Sequence, residues 1–429
     1  MRRFSQNLMI VAALLASALA SLHAIAQDKP VSAQAAAIFE QSRDSIAQIR
    51  VLLGGSDSHI ATGTGFIVGA GGVMLTNYHV VAEKALEPGT YRLEFVLPGG
   101  RRGALRILAL DVAHDLAVVQ GDVGDAKPLP LRERMLSKGD RALSLGYPLD
   151  QGLTVTEGTY NGRSEEQYYD HLHFTGALNA GMSGGPAMDI GGRVFGVNVS
   201  SHHSGQLVNF LVPIKYATTL LKRASAAPAG DMDFRNEIGA QLRAHGDALM
   251  EALLGTSLSV EKLGEFSLPA KAGDIMRCGA STDRELDRWY AVDTYRCRVN
   301  STIYIDSRLH TGTVSFRHHI FRSERLGALR FAHLQESRFS GSAFGRDRKH
   351  HTRYRCRDRI VSMKGTRAKA VMCVRAYRQF SGLYDVTLRL ATVGDSGRAL
   401  HSHLDLQGVA FDTAMTFARR YLERIEWNR

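Results

Sequence analysis

Between Ile46 and Ile214 the chain never holds one pattern for long: short apolar, β-branched runs are cut by turn clusters such as Pro98-Gly99-Gly100 and Gly121-Asp122-Val123-Gly124-Asp125. Runs of that length cannot bury the face of a stable helix, but alternation such as that of Ile46–Leu52 suits a pleated strand. Many short strands with turns between them close into a sandwich or barrel, so the fold class is mainly β. Short helices are expected only at Gln34–Ser45, before the first strand, and at Tyr216–Ala224, after the last.

Within this β region, Asn179-Ala180-Gly181-Met182-Ser183-Gly184-Gly185-Pro186 sets a serine between glycines. Such a turn leaves the hydroxyl uncrowded and lets the amides of Gly181 and Ser183 point at one spot beside it, a nucleophile next to an oxyanion hole. Upstream, Gly63–Val68 and Met74–Val81 read as a β-patterned hairpin ending in His79, and Asp115 opens the apolar strand Leu116–Val119. Base, acid and nucleophile thus occur in the order His, Asp, Ser. Gly181-Met182-Ser183-Gly184-Gly185 also fits the G-x-S-x-G elbow, but that motif needs a helix after the serine and the order Ser, acid, His. Here Gly184-Gly185-Pro186 and the strand-like Gly192–Val199 follow, which excludes the elbow.

These segments resemble the trypsin-fold serine proteases, in particular the HtrA-like (Deg) branch of bacterial envelope proteases. The resemblance rests on Gly63-Thr64-Gly65-Phe66-Ile67-Val68, Thr76-Asn77-Tyr78-His79-Val80-Val81, Asp115–Val119, Gly146-Tyr147-Pro148, Thr154–Gly158, Gly181–Pro186 and Val208–Ile214, and covers roughly residues 35–223. It implies two six-stranded barrels with a His79-Asp115-Ser183 triad between them, an oxyanion hole from the amides of Gly181 and Ser183, and no cofactor. It also implies a primary pocket beside Leu178, apolar in preference, and a substrate strand along Gly196-Val197-Asn198-Val199. Two departures stand out. Met182 occupies a position that is commonly asparagine, and no PDZ-like segment follows, so peptide-activated or trimeric behaviour does not carry over. A trypsin-fold protein that binds polypeptides without cleaving them is the alternative the sequence leaves open.

Met1-Arg2-Arg3, the apolar run Leu8–Ala20 and Ala24-Ile25-Ala26 have the three parts of an export leader cleaved after Ala26, which predicts a periplasmic or secreted protein without a further membrane span. The remaining chain divides into a protease region over 34–223, a linker and helix over 224–256, and a basic, β-rich (α+β) region over 257–429. The helix, expected at Asp233–Leu254, should pack between the two larger regions. In the last region alternation marks strands at Trp289–Val299, Thr302–Leu309, Thr313–Phe321, Ala328–Gln335, Thr352–Met363, Ala370–Gln379 and Tyr384–Ala391, giving an antiparallel sheet with one wet face. A helix should close the chain from Val409 to about Trp427.

Residues 261–429 hold 31 Lys and Arg against 18 Asp and Glu, a net +13 that exceeds the whole-chain +11, so the basic excess belongs to this end. It could meet an anionic envelope component by Coulomb attraction, whereas nucleic acid is excluded by the absence of any binding motif and by the exported destination. Cys278, Cys297, Cys356 and Cys373 lie there too, and an oxidising compartment would pair them; of the three possible pairings, the short spacings favour the local bridges Cys278–Cys297 and Cys356–Cys373. No C-x-x-C pair suggests zinc. The doublets His202-His203, His318-His319 and His350-His351 lack an acidic or helically spaced partner in sequence, so no metal is expected.

Overall fold

The computed structural model describes residues 31–164, 168–199, 208–227, 232–283, 289–339 and 347–428. The leader and the His202-His203 doublet lie outside the described residues. Helix α1 (Ala33–Ser42) is capped by Ser32, whose hydroxyl accepts the Ala35 amide, and a 3-10 turn at Arg43–Ser45 completes the expected helical stretch. Six antiparallel strands then close a barrel in the order β1-β2-β3-β6-β5-β4: β1 (Ile46–Leu53), β2 (His59–Gly69), β3 (Val73–Thr76), β4 (Tyr91–Val96), β5 (Arg102–Asp111) and β6 (Leu116–Gln120). A second closed barrel, in the order β10-β11-β12-β9-β8-β7, uses β7 (Arg141–Gly146), β8 (Thr154–Arg163), β9 (Leu172–Phe174), β10 (Pro186–Asp189), β11 (Val194–Val199) and β12 (Asn209–Pro213).

The period of two explains how one strand serves two interfaces. Along β1, Ala47, Ile49 and Val51 fill the first barrel with Ile67, Met74 and Phe95, while Ile46 turns outward. There it joins Phe66, Leu75, Leu145, Met188 and Val212 in the apolar seam between the barrels. Strand β1 is therefore buried along most of its length, with Gln48 and Arg50 interrupting its apolar residues on the outward side.

The histidine segment departs from expectation. Strand β3 stops at Thr76, and His79 lies in helix α2 (Tyr78–Leu86), not at the end of a hairpin. Val80, Val81, Ala82, Ala85 and Leu86 all find buried positions there, so packing overrides the β preference of the valines.

After β12, α3 (Ile214–Ala224) packs Ile214, Ala217 and Leu220 into the seam between the barrels. Helix α4 (Arg235–Gly255), 21 residues and so about 30 Å long, joins two cores. Ile238 and Leu242 enter the first barrel's cluster, and Leu249, Met250 and Leu253 enter that of the C-terminal sheet.

The C-terminal region begins with β13 (Leu258–Leu263) and β14 (Phe266–Ala272), followed by β15 (Met276–Asp283), β16 (Ala291–Val299), the small hairpin β17 (Ile303–Asp306) and β18 (Leu309–Thr311), and β19 (Val314–Arg322). Helix α5 (Ala328–Arg338) precedes β20 (Arg355–Met363), β21 (Thr366–Ala376), β22 (Tyr384–Val393), β23 (Arg398–Val409), α6 (Phe411–Leu422) and β24 (Glu426–Trp427). Seven of these strands form one antiparallel sheet, β15-β16-β19-β23-β22-β21-β20. The stretch Ala328–Gln335, expected as a strand, is α5: Phe331 alone is buried and anchors it on Phe321 and Ala399. The closing helix is shorter than expected because Glu426–Trp427 turns back to pair with β14.

Helix α6 covers one sheet face with Ala414, Phe417, Ala418 and Tyr421. The other face, expected to be wet, holds Thr387, Arg389 and His401 at 0 to 2% exposure, with Arg389 paired to Asp405 at 2.6 Å. Both disulfides join residues directly opposite in register, Cys278–Cys297 between β15 and β16 and Cys356–Cys373 between β20 and β21, at the two edges of the sheet. Among the described residues no helix is long and apolar enough to cross a membrane, and no cluster of side chains has the make-up of a metal site.

Candidate active site

Three segments converge where the barrels meet. Asp115 sits in the tight turn between β5 and β6 with φ of 55°, a left-handed conformation uncommon outside glycine. Such a conformation persists only where neighbours fix it; here Asn77 Nδ2 donates to the Asp115 carbonyl at 2.7 Å. The carboxylate then engages one residue twice: Oδ1 accepts the His79 backbone amide at 2.9 Å and Oδ2 lies 2.6 Å from His79 Nδ1. Ring orientation is thus set from the backbone and from the imidazole together. The His79 side chain keeps 24% exposure. Burial, the largest single influence, pushes its pKa down, and the charge and hydrogen bond of Asp115 outweigh it, leaving the imidazole above its ordinary 6.5.

Asp111 belongs to a different pair. Its carboxylate accepts the His114 amide at 3.1 Å and lies 2.8 Å from His114 Nδ1, and the His114 ring stacks on Tyr216 at 3.7 Å. No contact joins Asp111 to His79 among the described residues.

The serine turn is built by close backbone approach. Gly181 has φ of 94° and Gly184 of 85°. A Cβ at Gly181 would meet the Tyr147 carbonyl at 2.2 Å, and one at Gly184 would meet the Thr64 carbonyl at 2.2 Å and Thr76 Oγ1 at 2.3 Å. Glycine is required at both for conformation and for space. The same Cβ would stand 3.0 Å from the Asn77 amide, which places the turn against the segment that carries His79. Ser183 itself is 4% exposed.

Residues that the sequence reading did not single out hold this turn in place. Thr64 donates its amide to the Ser183 carbonyl at 2.8 Å and its hydroxyl to the Gly181 carbonyl at 2.7 Å, while accepting the Tyr147 amide at 3.0 Å. Thr76 Oγ1 donates to the Thr64 carbonyl at 2.7 Å. A threonine between the two glycines Gly63 and Gly65 of β2 was the available sign.

Asn198 and Val197, expected along the substrate strand, have other roles. The Asn198 amide donates to the Gly185 carbonyl at 2.8 Å and its carbonyl accepts the Gly184 amide at 3.0 Å, so its main chain is engaged in shaping the turn. Its side-chain nitrogen reaches the carbonyls of Leu145 at 3.1 Å and Met182 at 3.3 Å. Val197 is fully buried, in register with Pro186 on one side and Val212 on the other. A substrate strand therefore cannot pair at either residue. Leu178 is partly buried against Tyr160, Phe174 and Phe195 in the second barrel.

Two closed six-stranded barrels with this site between them define a trypsin-like peptidase fold, and residues 63–197 match the family model of the trypsin-like peptidase domain. The similar proteins carry HtrA- and DegP-type names. A probable periplasmic serine endoprotease, DegP-like, of Chlamydia trachomatis is 32% identical over 163 residues, which are 35% of this chain and 31% of that protein. The putative serine protease HhoB of Synechocystis is 28% identical over 232 residues, 49% of this chain and 54% of that protein. Among solved structures, the serine endoprotease from Yersinia pestis aligns with a TM-score of 0.40 at 23% identity, covering 46% of this chain and 68% of that one. The chain thus spans between about a third and about half the length of these curated relatives.

Proposed function

We propose that the protein is a serine endopeptidase of the bacterial envelope that acts on polypeptides through His79, Asp115 and Ser183. The observation that carries the reading is the double hold of Asp115 on His79, by ring and by backbone amide, against the glycine turn of Ser183. His79 Nε2 removes the proton of Ser183 Oγ as the oxygen attacks the scissile carbonyl, and the imidazolium is stabilised by Asp115. The oxyanion is received by the amides of Gly181 and Ser183, an interaction worth about 3 kcal/mol per donor in related sites. The tetrahedral intermediate collapses with cleavage of the C–N bond, and Nε2 returns the proton to the leaving amine. Water, deprotonated by the same nitrogen, then attacks the acyl ester, and its proton restores Ser183.

Leu178 lines the primary pocket in this reading, which favours cleavage after small or medium apolar residues. The substrate strand joins beyond Asn198, at Val199. Export to the periplasm accords with the two disulfides and with the name of the Chlamydia relative, a probable periplasmic endoprotease. For the basic end we propose contact with an anionic envelope surface. Arg353, Arg355, Arg357 and Asp412 line a cavity of about 1050 Å³ with the apolar Met372, Val374 and Met415. Salt-sensitive sedimentation with anionic but not neutral vesicles is the expected result.

The test of the main reading is labelling by a fluorophosphonate together with casein cleavage. Both should be present in the natural sequence and absent in Ser183→Ala. Binding of unfolded polypeptide without labelling or cleavage would favour the non-catalytic alternative.

A further inference from the structure

The hairpin β17–β18 lies far from the barrels in sequence yet is embedded in the first of them. Ile303, Ile305 and Leu309 are buried in the same apolar cluster as Val80, Val81 and Phe95. The hydroxyl of Tyr78, the residue before His79, donates to the Ile305 carbonyl at 2.9 Å, and the Ser307 amide donates to Glu83 Oε1 at 3.2 Å. From behind, Asp306 is held by His350 Nε2 at 2.5 Å, and Lys349 pairs with Glu87 on the barrel at 3.0 Å. The hairpin is fixed on both sides and is a built part of the wall around α2.

Between Ile303 and Ile305, Tyr304 is partly buried and packs against the same cluster. Its ring stands edge-on to the His79 imidazole with centroids 5.7 Å apart, and His310 on β18 stands edge-on to Tyr304 at 5.2 Å. Tyr304 is partly exposed and His310 exposed. The carboxylates of Glu83, Asp306 and Asp115 all lie within electrostatic range of the Tyr304 hydroxyl.

From this arrangement we infer that Tyr304 and His310 form a specificity-determining wall beside the imidazole, contributed to the active site by the C-terminal region. The inference rests on the endopeptidase reading above. An extended substrate alternates its side chains. The residue whose carbonyl is attacked enters the pocket beside Leu178, so the side chain of the residue before it faces the opposite wall, toward His79 and Tyr304. The two rings stand beside the imidazole there, and three carboxylates lie within electrostatic range of the Tyr304 hydroxyl. The substrates that fit are polypeptides with proline or a small aliphatic residue immediately before the cleaved one; bulky aromatic and acidic residues are disfavoured.

The experiment compares kcat/KM for peptides that share a cleaved apolar residue and carry Pro, Val, Phe or Glu before it, using the full mature chain, Tyr304→Ala, Tyr304→Phe and His310→Ala. The natural sequence should prefer Pro to Phe by at least about 10-fold, the scale on which apolar pockets discriminate. Tyr304→Ala should bring the two within about 3-fold, with Phe gaining through KM, and His310→Ala should move the same way less far. Tyr304→Phe, which keeps the ring, should retain the preference. Fluorophosphonate labelling of each variant separates the two readings. Labelling with an unchanged Pro-to-Phe ratio in both Tyr304→Ala and His310→Ala overturns the wall alone. A uniform change for all four peptides does the same, assigning Tyr304 to holding the imidazole. Absence of labelling in the natural sequence overturns the endopeptidase reading and the wall with it.

Discussion

Replacing Asp115 with Asn separates what its carboxylate does for the rate from what it does for the pKa. The natural residue accepts two hydrogen bonds from His79, at 2.9 Å from the amide and 2.6 Å from Nδ1. An amide of the same shape can still accept one, but its NH2 group then faces the ring and must donate to Nδ1. That fixes the imidazole proton on Nε2, the nitrogen that has to take a proton from Ser183. Loss of the productive tautomer costs about 10⁴ in rate in related triads, close to 5.5 kcal/mol of barrier. The pH profile carries a second signature. In the proposed mechanism the neutral imidazole is the base, so the rate should rise with pH through the pKa of His79, which Asp115 holds above the ordinary 6.5. Without the carboxylate only the burial effect remains, and the inflection should move below 6.5 while the plateau falls. The assay is kcat/KM on a chromogenic peptide from about pH 5 to about pH 9, a range that brackets histidine titration. Asp111→Asn is the control: it weakens a partly buried contact with His114, worth about 1 kcal/mol of stability, and should leave rate and inflection nearly unchanged. Equal losses from the two aspartates, or an inflection that stays in place in Asp115→Asn, would refute the assignment of the orienting acid.

Gly184→Ala should abolish fluorophosphonate labelling and destabilise the protein by about 3 kcal/mol or more, because its Cβ would enter the Thr64 carbonyl from a left-handed backbone; labelling at the natural rate would contradict this. Cys373→Ser opens a cross-strand bridge closing a short loop and should cost roughly 2 to 4 kcal/mol. Calorimetry should show the loss in the C-terminal unfolding transition, with serine labelling retained, and non-reducing peptide mapping of the natural protein should show no free thiol. Asp385 is fully buried and accepts hydrogen bonds from Arg375 at 2.8 Å, Tyr377 at 2.8 Å and the Gly408 amide at 3.2 Å. Asp385→Ala should therefore destabilise by about 3 to 5 kcal/mol in urea titration, and a change under about 1 kcal/mol would show that the cluster relaxes.

What could be read in advance follows from the range of the forces involved. The barrels were legible because strand alternation and turn residues act within a few positions, as at Ile46–Leu53 and Pro98-Gly99-Gly100. Helix α2 was misread as strand because Tyr78, Val80 and Val81 favour strands locally, and only barrel packing shows that all three can be buried from a helix. Helix α5 failed for the related reason that its one deeply buried residue, Phe331, gives no helical stripe to detect. Asn198 was placed on the correct strand, but its hydrogen bonds to Gly184 and Gly185 come from a tertiary contact that no spacing encodes. The contact of Tyr304 with His79 lies further from reach. Alternation around Ile303 and Ile305 predicts a change of face at Tyr304, yet its ring still packs against the same barrel cluster, so at most half of the geometry is local. The other half, that they pack on α2, depends on burying two isoleucines against a helix more than 200 positions earlier in the chain. A sequence motif can therefore bring forward the residues of the proposed triad, while the neighbour that the C-terminal region sets beside them is decided by which apolar surface that region finds to cover.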